Sequence, residues 1–247
     1  MIAVLFANLL FAHLISDFWL PANCMVPEKR TVGRKVAALL AHTLIVASAS
    51  FLLSFDCRFW SFAIVILITH ALIDYGKMSF STGVWPFVIE QILHTTILYA
   101  VSKCFIDLHP DWTQMNWIPE DHWLAVPAVA CAVVVCTSPA NILVYETLEK
   151  YKIDMGNTQK NCLENASSLR NAGALIGSLE RLLILLFVLI GKYEAAGLTV
   201  AAKSILRFRD DEGPRTEFVL VGTLLSFLIA VVVAVALLAM VFGFKNL

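Results

Sequence analysis

The chain has 247 residues, 59% hydrophobic and 15% charged, with a formal net charge of −1 and a mean hydropathy of +0.78. A soluble domain of this length is about half apolar and about a quarter charged, so an ordinary soluble domain is excluded. No basic stripe with interleaved aromatics is present, which excludes nucleic acid as a partner, and the apolar runs lack the roughly ten-residue strict alternation of a membrane β-barrel.

The apolar residues come in runs of about 17 to 25, enough to cross a hydrocarbon core about 30 Å thick. The expected fold is all-α: a polytopic membrane helix bundle of about seven to eight spans, or seven plus a re-entrant helix.

Span 1 runs from about Met1 to Leu20 and stops at Pro21. It has no basic leader, and His13 and Asp17 interrupt its apolar run, so it reads as a retained span and not a cleaved signal peptide. After a basic loop, span 2 covers about Val36 to Phe55 and carries His42. Asp56-Cys57-Arg58 makes a tight connection. Span 3, about Phe59 to Tyr75, carries His70 and Asp74 and is expected to end at Gly76 as a C′ residue. Span 4, about Val84 to Phe105, has Pro86 in its first turn, where proline is tolerated, and carries Glu90 and His94.

The acidic stretch 106–122 reads as an exterior loop, with Trp112, Trp117 and Trp123 forming an interfacial aromatic belt. Span 5, about Leu124 to Tyr145, is bent or bounded by Pro127 and Pro139. The segment 146–171 reads as an extended soluble loop that can bind a soluble partner. Span 6 runs from about Ala172 to Ile190, and 192–208 is a short return span or re-entrant helix. The last span, about Thr216 to Phe244, is long enough to tilt. The chain thus divides into a four-helix membrane bundle at 1–110, an exterior loop and fifth span at 111–145, a cytoplasmic polar loop at 146–171 and C-terminal membrane helices at 172–247.

The six cysteines form no CxxC pair and no secreted disulfide spacing. They read as small apolar residues in or near helices.

Loop charges set an orientation. The 21–35 and 146–171 segments each hold four Lys or Arg residues and 106–122 holds none. The N-terminus is therefore expected outside. In that orientation His13, Asp17, His42, His70, Asp74, Glu90 and His94 all fall within about one to three turns of the cytoplasmic ends of their spans. Ionisable groups in lipid are costly and face a common interior, so a single polar layer is expected there.

Imidazole and carboxylate together suit Zn, Fe, Mn or Ni, and carboxylate-rich pairs can bridge two ions. Helix bundles build such sites from i, i+3 or i, i+4 pairs, and three of the groups here are such pairs. Seven candidates exceed the four ligands of a simple zinc site. Either some carboxylates orient histidines or the layer holds two ions. The expected cofactor is one or two divalent ions, zinc, iron or manganese. No cysteine falls in the pattern, so a structural Cys-rich zinc site is excluded. The other reading is a metal-free His–Asp network that ties the helices together.

A second polar group lies in the C-terminal half. Glu180, Arg181 and Glu217 read as structural ion pairs, Glu180 or Glu217 neutralising Arg181 or Lys203. Lys203, Arg207 and Arg170 are candidates for binding an anionic group, such as a phosphate or lipid head group at the cytoplasmic leaflet. Gly173, Gly177 and Ser178 read as small residues that allow close helix packing.

The strings HLISDFWLP at 13–21, HALIDYGK at 70–77 and EQILH at 90–94 resemble the bacterial membrane family catalogued as domain of unknown function 3307. The resemblance covers about the first 110 residues. The stretches IGSLERLLILLFVLIGKYEAAGLTVAAKSILRF and EFVLVGTLLSFLIA look like the C-terminal extension found in part of that family. It implies a multi-pass protein of the bacterial inner (cytoplasmic) membrane and no particular activity. Two departures stand out: Pro21 replaces the family's glutamine, and Glu90-Gln91 replaces Asp-Gln, which keeps a carboxylate. The His/Asp pattern is also loosely similar to membrane-bound metal-dependent hydrolases.

The leading expectation is a membrane-embedded metal-dependent hydrolase acting on a lipid or a phosphorylated, membrane-delivered substrate. Glu90 or Asp74 would be the general base. The alternatives are a cation or proton-coupled transporter or channel using the same His/Asp relay, and a structural or signalling membrane subunit.

Overall fold

The computed structural model describes residues 1–20, 32–77, 83–113, 122–151, 163–207 and 214–242. Within the helices, the side chains of 32–36, 163–171, 204–207, 214–220 and 242 fall outside the description. The described regular structure is helical, with no strand: α1 (Ile2–Phe18), α2 (Val32–Leu53), α3 (Trp60–Lys77), α4 (Val84–Leu108), α5 (Ala125–Val135), α6 (Ser138–Lys150), α7 (Leu163–Leu189), α8 (Tyr193–Arg207) and α9 (Pro214–Phe242).

Six segments are long and apolar enough to cross a membrane: Ala37–Ser54, Cys57–Lys77, Val84–Leu108, Ala125–Lys150, Ala172–Leu189 and Val221–Val241. The apolar α1 is shorter, at 17 residues, the lower end of what spans a bilayer. These helices turn apolar side chains outward. On α3, Ile64, Ile68 and Leu72 are exposed, while Ala63, Ile66 and His70 are buried. On α4, Trp85, Ile89, Ile92 and Tyr99 are exposed, while Glu90, His94, Leu98, Val101 and Phe105 are buried. Both sets repeat every three or four residues, one face of a helix each. An outward apolar face over an inward polar one matches lipid as solvent.

The chain divides into two compact units, Met1–Val134 and Val135–Leu247. In the first, α1 packs on α2 and α4, α2 on α3, and α3 on α4, which closes a ring of four antiparallel helices. One end of this ring is filled by Leu5, Leu9, Val46, Phe59, Ile66, Leu98 and Phe105. Trp112 and Trp123 join that core, and Trp112 Nε1 donates to the Ser54 carbonyl at 2.9 Å. The belt expected of these two residues is corrected. Trp112 is 2% exposed because its N–H finds a backbone acceptor at the end of α2, which an indole needs when it is buried. Trp117 lies outside the described residues. The same end is fastened by Arg58, whose guanidinium bonds Asp56 and reaches Asp111 at 3.0 Å.

Three other boundaries differ from the sequence reading. Gly76 does not end its helix, since α3 continues through Lys77. Span 5 is two helices, broken at Cys136-Thr137, with Pro139 in the first turn of α6. The 146–171 segment is helical where it is described beyond Tyr151, because α6 reaches Lys150 and α7 begins at Leu163; residues 152–162 lie outside the description.

In the second unit α7 packs along α9 and α8, and α6 contacts α7 and α9. Gly191, at φ 70°, ends α7 in the left-handed region, and Lys192 N donates back to the Phe187 carbonyl at 2.8 Å. That pairing is a Schellman cap, which favours glycine. The 15 described residues of α8 span about 22 Å.

Candidate functional site

The end of the α1–α4 ring opposite Phe59 and Phe105 is polar. Two of its helices, α1 and α3, arrive with His13/Asp17 and His70/Asp74 in their last two turns, while α2 and α4 depart carrying His42 and Glu90/His94. An i, i+4 pair on each of three helices puts both members on the inward stripe, so antiparallel packing brings all seven groups together. His13, His70, His94 and Glu90 are buried, at 1, 2, 3 and 7% exposure. The side chains of Asp17, Asp74 and His42 keep 10, 15 and 20%, which leaves a narrow approach for water or an ion.

His70 is the hub. Its ring lies 4.2 Å from that of His94, 5.3 Å from His42 and 5.4 Å from His13, centroid to centroid. Its Nε2 is 3.3 Å from His42 Nε2, 3.5 Å from Asp17 Oδ1 and 3.4 Å from Asp74 Oδ2. In turn, His42 Nε2 is 3.3 Å from Asp17 Oδ1 and 3.7 Å from Asp74 Oδ2. These four atoms come from three helices, and five of their separations span 3.3 to 3.7 Å. A tetrahedral ion with bonds of about 2.0–2.2 Å needs ligand separations of about 3.3–3.6 Å. These five separations are therefore close to those of donors that share one small divalent ion.

The rest of the cluster lies around these four atoms. His13 Nδ1 faces Asp17 Oδ1 at 3.5 Å and its Nε2 meets Gln91 Oε1 at 3.3 Å. His94 Nε2 is 3.8 Å from Asp74 Oδ1. Among the described residues, both His94 ring nitrogens are buried without a hydrogen-bond partner, as are His13 Nδ1 and Asp17 Oδ1. Buried polar atoms are nearly always bonded to protein, water or a ligand, so these atoms are open to one. Three overlapping triads have ligand atoms within 4.8 Å of one another: His13–His70–His94, Asp17–His42–His70 and Asp74–Glu90–His94.

Sequence reasoning missed Lys77. Its Nζ donates to Glu90 Oε1 at 2.8 Å and lies 2.6 Å from Oε2. The signal was available, since Lys77 stands three residues after Asp74, but a helix expected to stop at Gly76 hides it. Gln91, one residue past Glu90, was also passed over.

Of the pairings expected in the second polar group, the structure shows Glu180 with Lys203. Arg181 is 2% exposed and, among the described residues, bonds neutral acceptors: the Cys136 carbonyl, Ser226 Oγ, Asn141 Oδ1 and Ser178 Oγ. The planar guanidinium fork suits several separated acceptors better than one carboxylate. Gly177 makes the room, since a Cβ there would meet Arg181 Nη1 at 3.3 Å. Close packing alone does not account for that glycine, whereas Gly173 faces open space. Lys203 is not free to hold an anion while it pairs with Glu180. The side chains of Arg170, Arg207 and Glu217 lie outside the described residues.

The fold and site define a class: a membrane helix bundle with a buried His/Asp/Glu cluster at one end of its first four helices. Residues 5–124 match the family model described as "Protein of unknown function (DUF3307)". All seven cluster residues fall within that match, as does Lys77. Neither the curated proteins nor the solved structures contain a match to this chain.

Proposed function

We propose that the α1–α4 cluster holds one or two divalent ions, zinc, iron or manganese, and that the protein is a metal-dependent hydrolase embedded in a bacterial inner membrane. Its substrate is a lipid or a phosphorylated molecule delivered through the membrane. The observation that carries this reading is the close spacing of the donor atoms of His42 and His70 with Asp17 and with Asp74, 3.3 to 3.7 Å, supported by the unpartnered nitrogens of His94 beside them.

An ion in such a place acts as a Lewis acid and lowers the pKa of the water it binds. His42, His70, Asp17 and Asp74 would hold it. Four protein ligands close a zinc tetrahedron, so the hydrolytic reading calls for an ion that takes more ligands, or for a second ion with an open position. Asp74 faces His70 and His42 with one oxygen and His94 with the other, which suits a ligand more than a base. In the one-ion form Glu90 is the carboxylate left to accept a proton. Partly exposed Asp74 and His42 mark the side from which substrate approaches. With Lys203 paired to Glu180, the exposed Lys77 is the better cation for an anionic substrate group.

The reading is tested by reconstituting the full chain in vesicles with zinc or manganese and measuring phosphate or head-group release from anionic and phosphorylated lipids. Release that stops with chelator and with His70→Ala is the expected result. Metal-loaded protein that hydrolyses no such lipid contradicts the hydrolase assignment.

One observation favours a second reading. His94, Asp74, His70, Asp17 and His13 form a continuous chain of 3.4 to 3.8 Å contacts, as a proton or cation relay requires. Among the described residues the chain stops at the apolar layer of Leu9, Ile66 and Leu98, so it does not cross the bundle. Ion flux in the same vesicles, abolished by His70→Ala, would reverse the ranking.

A further inference from the structure

We infer that the cluster contains a second, separate cation position, formed by Asp74 Oδ1, His94 and Glu90, and that Lys77 controls it by competing for the Glu90 carboxylate. This rests on the metal reading above and says which residues divide the two positions.

The division follows from Asp74. Its Oδ2 faces His70 and His42 at 3.4 and 3.7 Å, while its Oδ1 faces His94 Nε2 at 3.8 Å. A carboxylate whose two oxygens serve two different imidazole groups is placed to bridge two ions, which in two-metal sites lie about 3.5–4 Å apart. The far side of that bridge is a built site. Asp74, Glu90 and His94 offer ligand atoms within 4.8 Å of one another. His94 is 3% exposed, and neither ring nitrogen has a hydrogen-bond partner. A buried imidazole with both nitrogens unbonded is costly and calls for a ligand.

The two positions differ in kind. The first can draw on four protein donors, from Asp17, His42, His70 and Asp74. The second has three and keeps a place open, as hydrolytic sites do. The second ion is therefore the one with room for a water or a substrate oxygen.

Lys77 sets the terms for filling it. Its ammonium lies within 2.8 Å of both Glu90 oxygens. Those oxygens cannot serve the ammonium and a divalent ion at full strength together, and the two cations repel across the same carboxylate. The Lys77 side chain is 52% exposed, against 7% for Glu90, so it can swing into solvent while Glu90 stays. Lys77 makes the second position weak and exchangeable without touching the first. An anionic substrate that draws the ammonium away frees Glu90, which couples filling of the second position to substrate arrival.

The test is Zn2+ binding by the full chain in detergent micelles, read as ions per chain and as two affinities by equilibrium dialysis. The wild type is expected to take one ion tightly and a second weakly. Lys77→Gln should tighten the second on the order of tenfold and leave the first unchanged, and Lys77→Arg should return it to the wild-type value. Glu90→Gln should lose the second ion only. Mn2+-loaded Lys77→Gln should show the exchange-coupled spin resonance of a bridged pair. Equal second-ion affinity in wild type and Lys77→Gln overturns the inference, as does loss of both ions in Glu90→Gln. A wild type that binds one ion while Lys77→Gln gains none sinks this inference alone. A wild type that binds none sinks the metal reading with it.

Discussion

His70 shows how much one side chain carries in this bundle. It is 2% exposed and within contact of His13, His42, His94, Asp17 and Asp74. Removing it should abolish ion binding at the position shared by His42, Asp17 and Asp74, while His109→Ala, on the far end of α4, should leave binding unchanged; metal content of the two variants checks this. Arg181 is the matching residue of the second unit. Arg181→Met leaves the Cys136 carbonyl, Asn141 and Ser226 without their donor and should cost about 3 kcal/mol, read as a lower thermal midpoint in detergent. Gly177→Ala presses on the same guanidinium and should act in the same direction more weakly. The seven cluster residues are legible in the sequence because ionisable groups at i, i+4 in apolar runs are costly in lipid unless they face one another. The partners of Arg181 are not legible, because Asn141, Ser226 and a backbone carbonyl carry no charge to announce them.

At the level of elements, apolar run length and proline position place most of the helices, and the errors cluster where two signals compete. Gly76 looks like a stop, yet α3 runs on to Lys77, whose ammonium gains Glu90. Trp112 looks interfacial, yet it is anchored inside by Ser54. Trp112→Phe keeps the packing and drops that bond, so it should lower stability by about 1 kcal/mol and loosen the junction between α2 and the chain after α4; hydrogen exchange at the α2 end reads this. The Lys203–Glu180 pair joins α8 to α7. Lys203→Met leaves Glu180 without its partner and should destabilise α8, and adding Glu180→Met should restore much of the loss, a pattern that an anion-binding role for Lys203 would not give.

For the whole molecule, the loop charges and the ring of α1–α4 together make a statement about sidedness. The 21–35 segment, with its four cations, follows α1 in the chain where that helix reaches the polar end of the ring, and the turn at Cys57 adjoins the apolar end. The loop charges predict an N-terminus outside, which would turn Cys57, an exposed free thiol, to the exterior. A variant retaining only Cys57 should react with a membrane-impermeant maleimide in intact cells, and protection there with labelling in inverted vesicles would reverse the orientation. That orientation would put the polar layer toward the cytoplasm, where the proposed phosphorylated substrate and anionic head groups would be at hand.

All of this depends on whether the α1–α4 cluster holds an ion. The direct measurement is the metal content of the full chain, purified in mild detergent without chelator, by mass spectrometry. At least one zinc, iron or manganese per chain is expected, lost in His42→Ala/His70→Ala while helical content and monodispersity are kept. A wild-type protein that carries no stoichiometric metal, and takes none up when it is offered, contradicts the account.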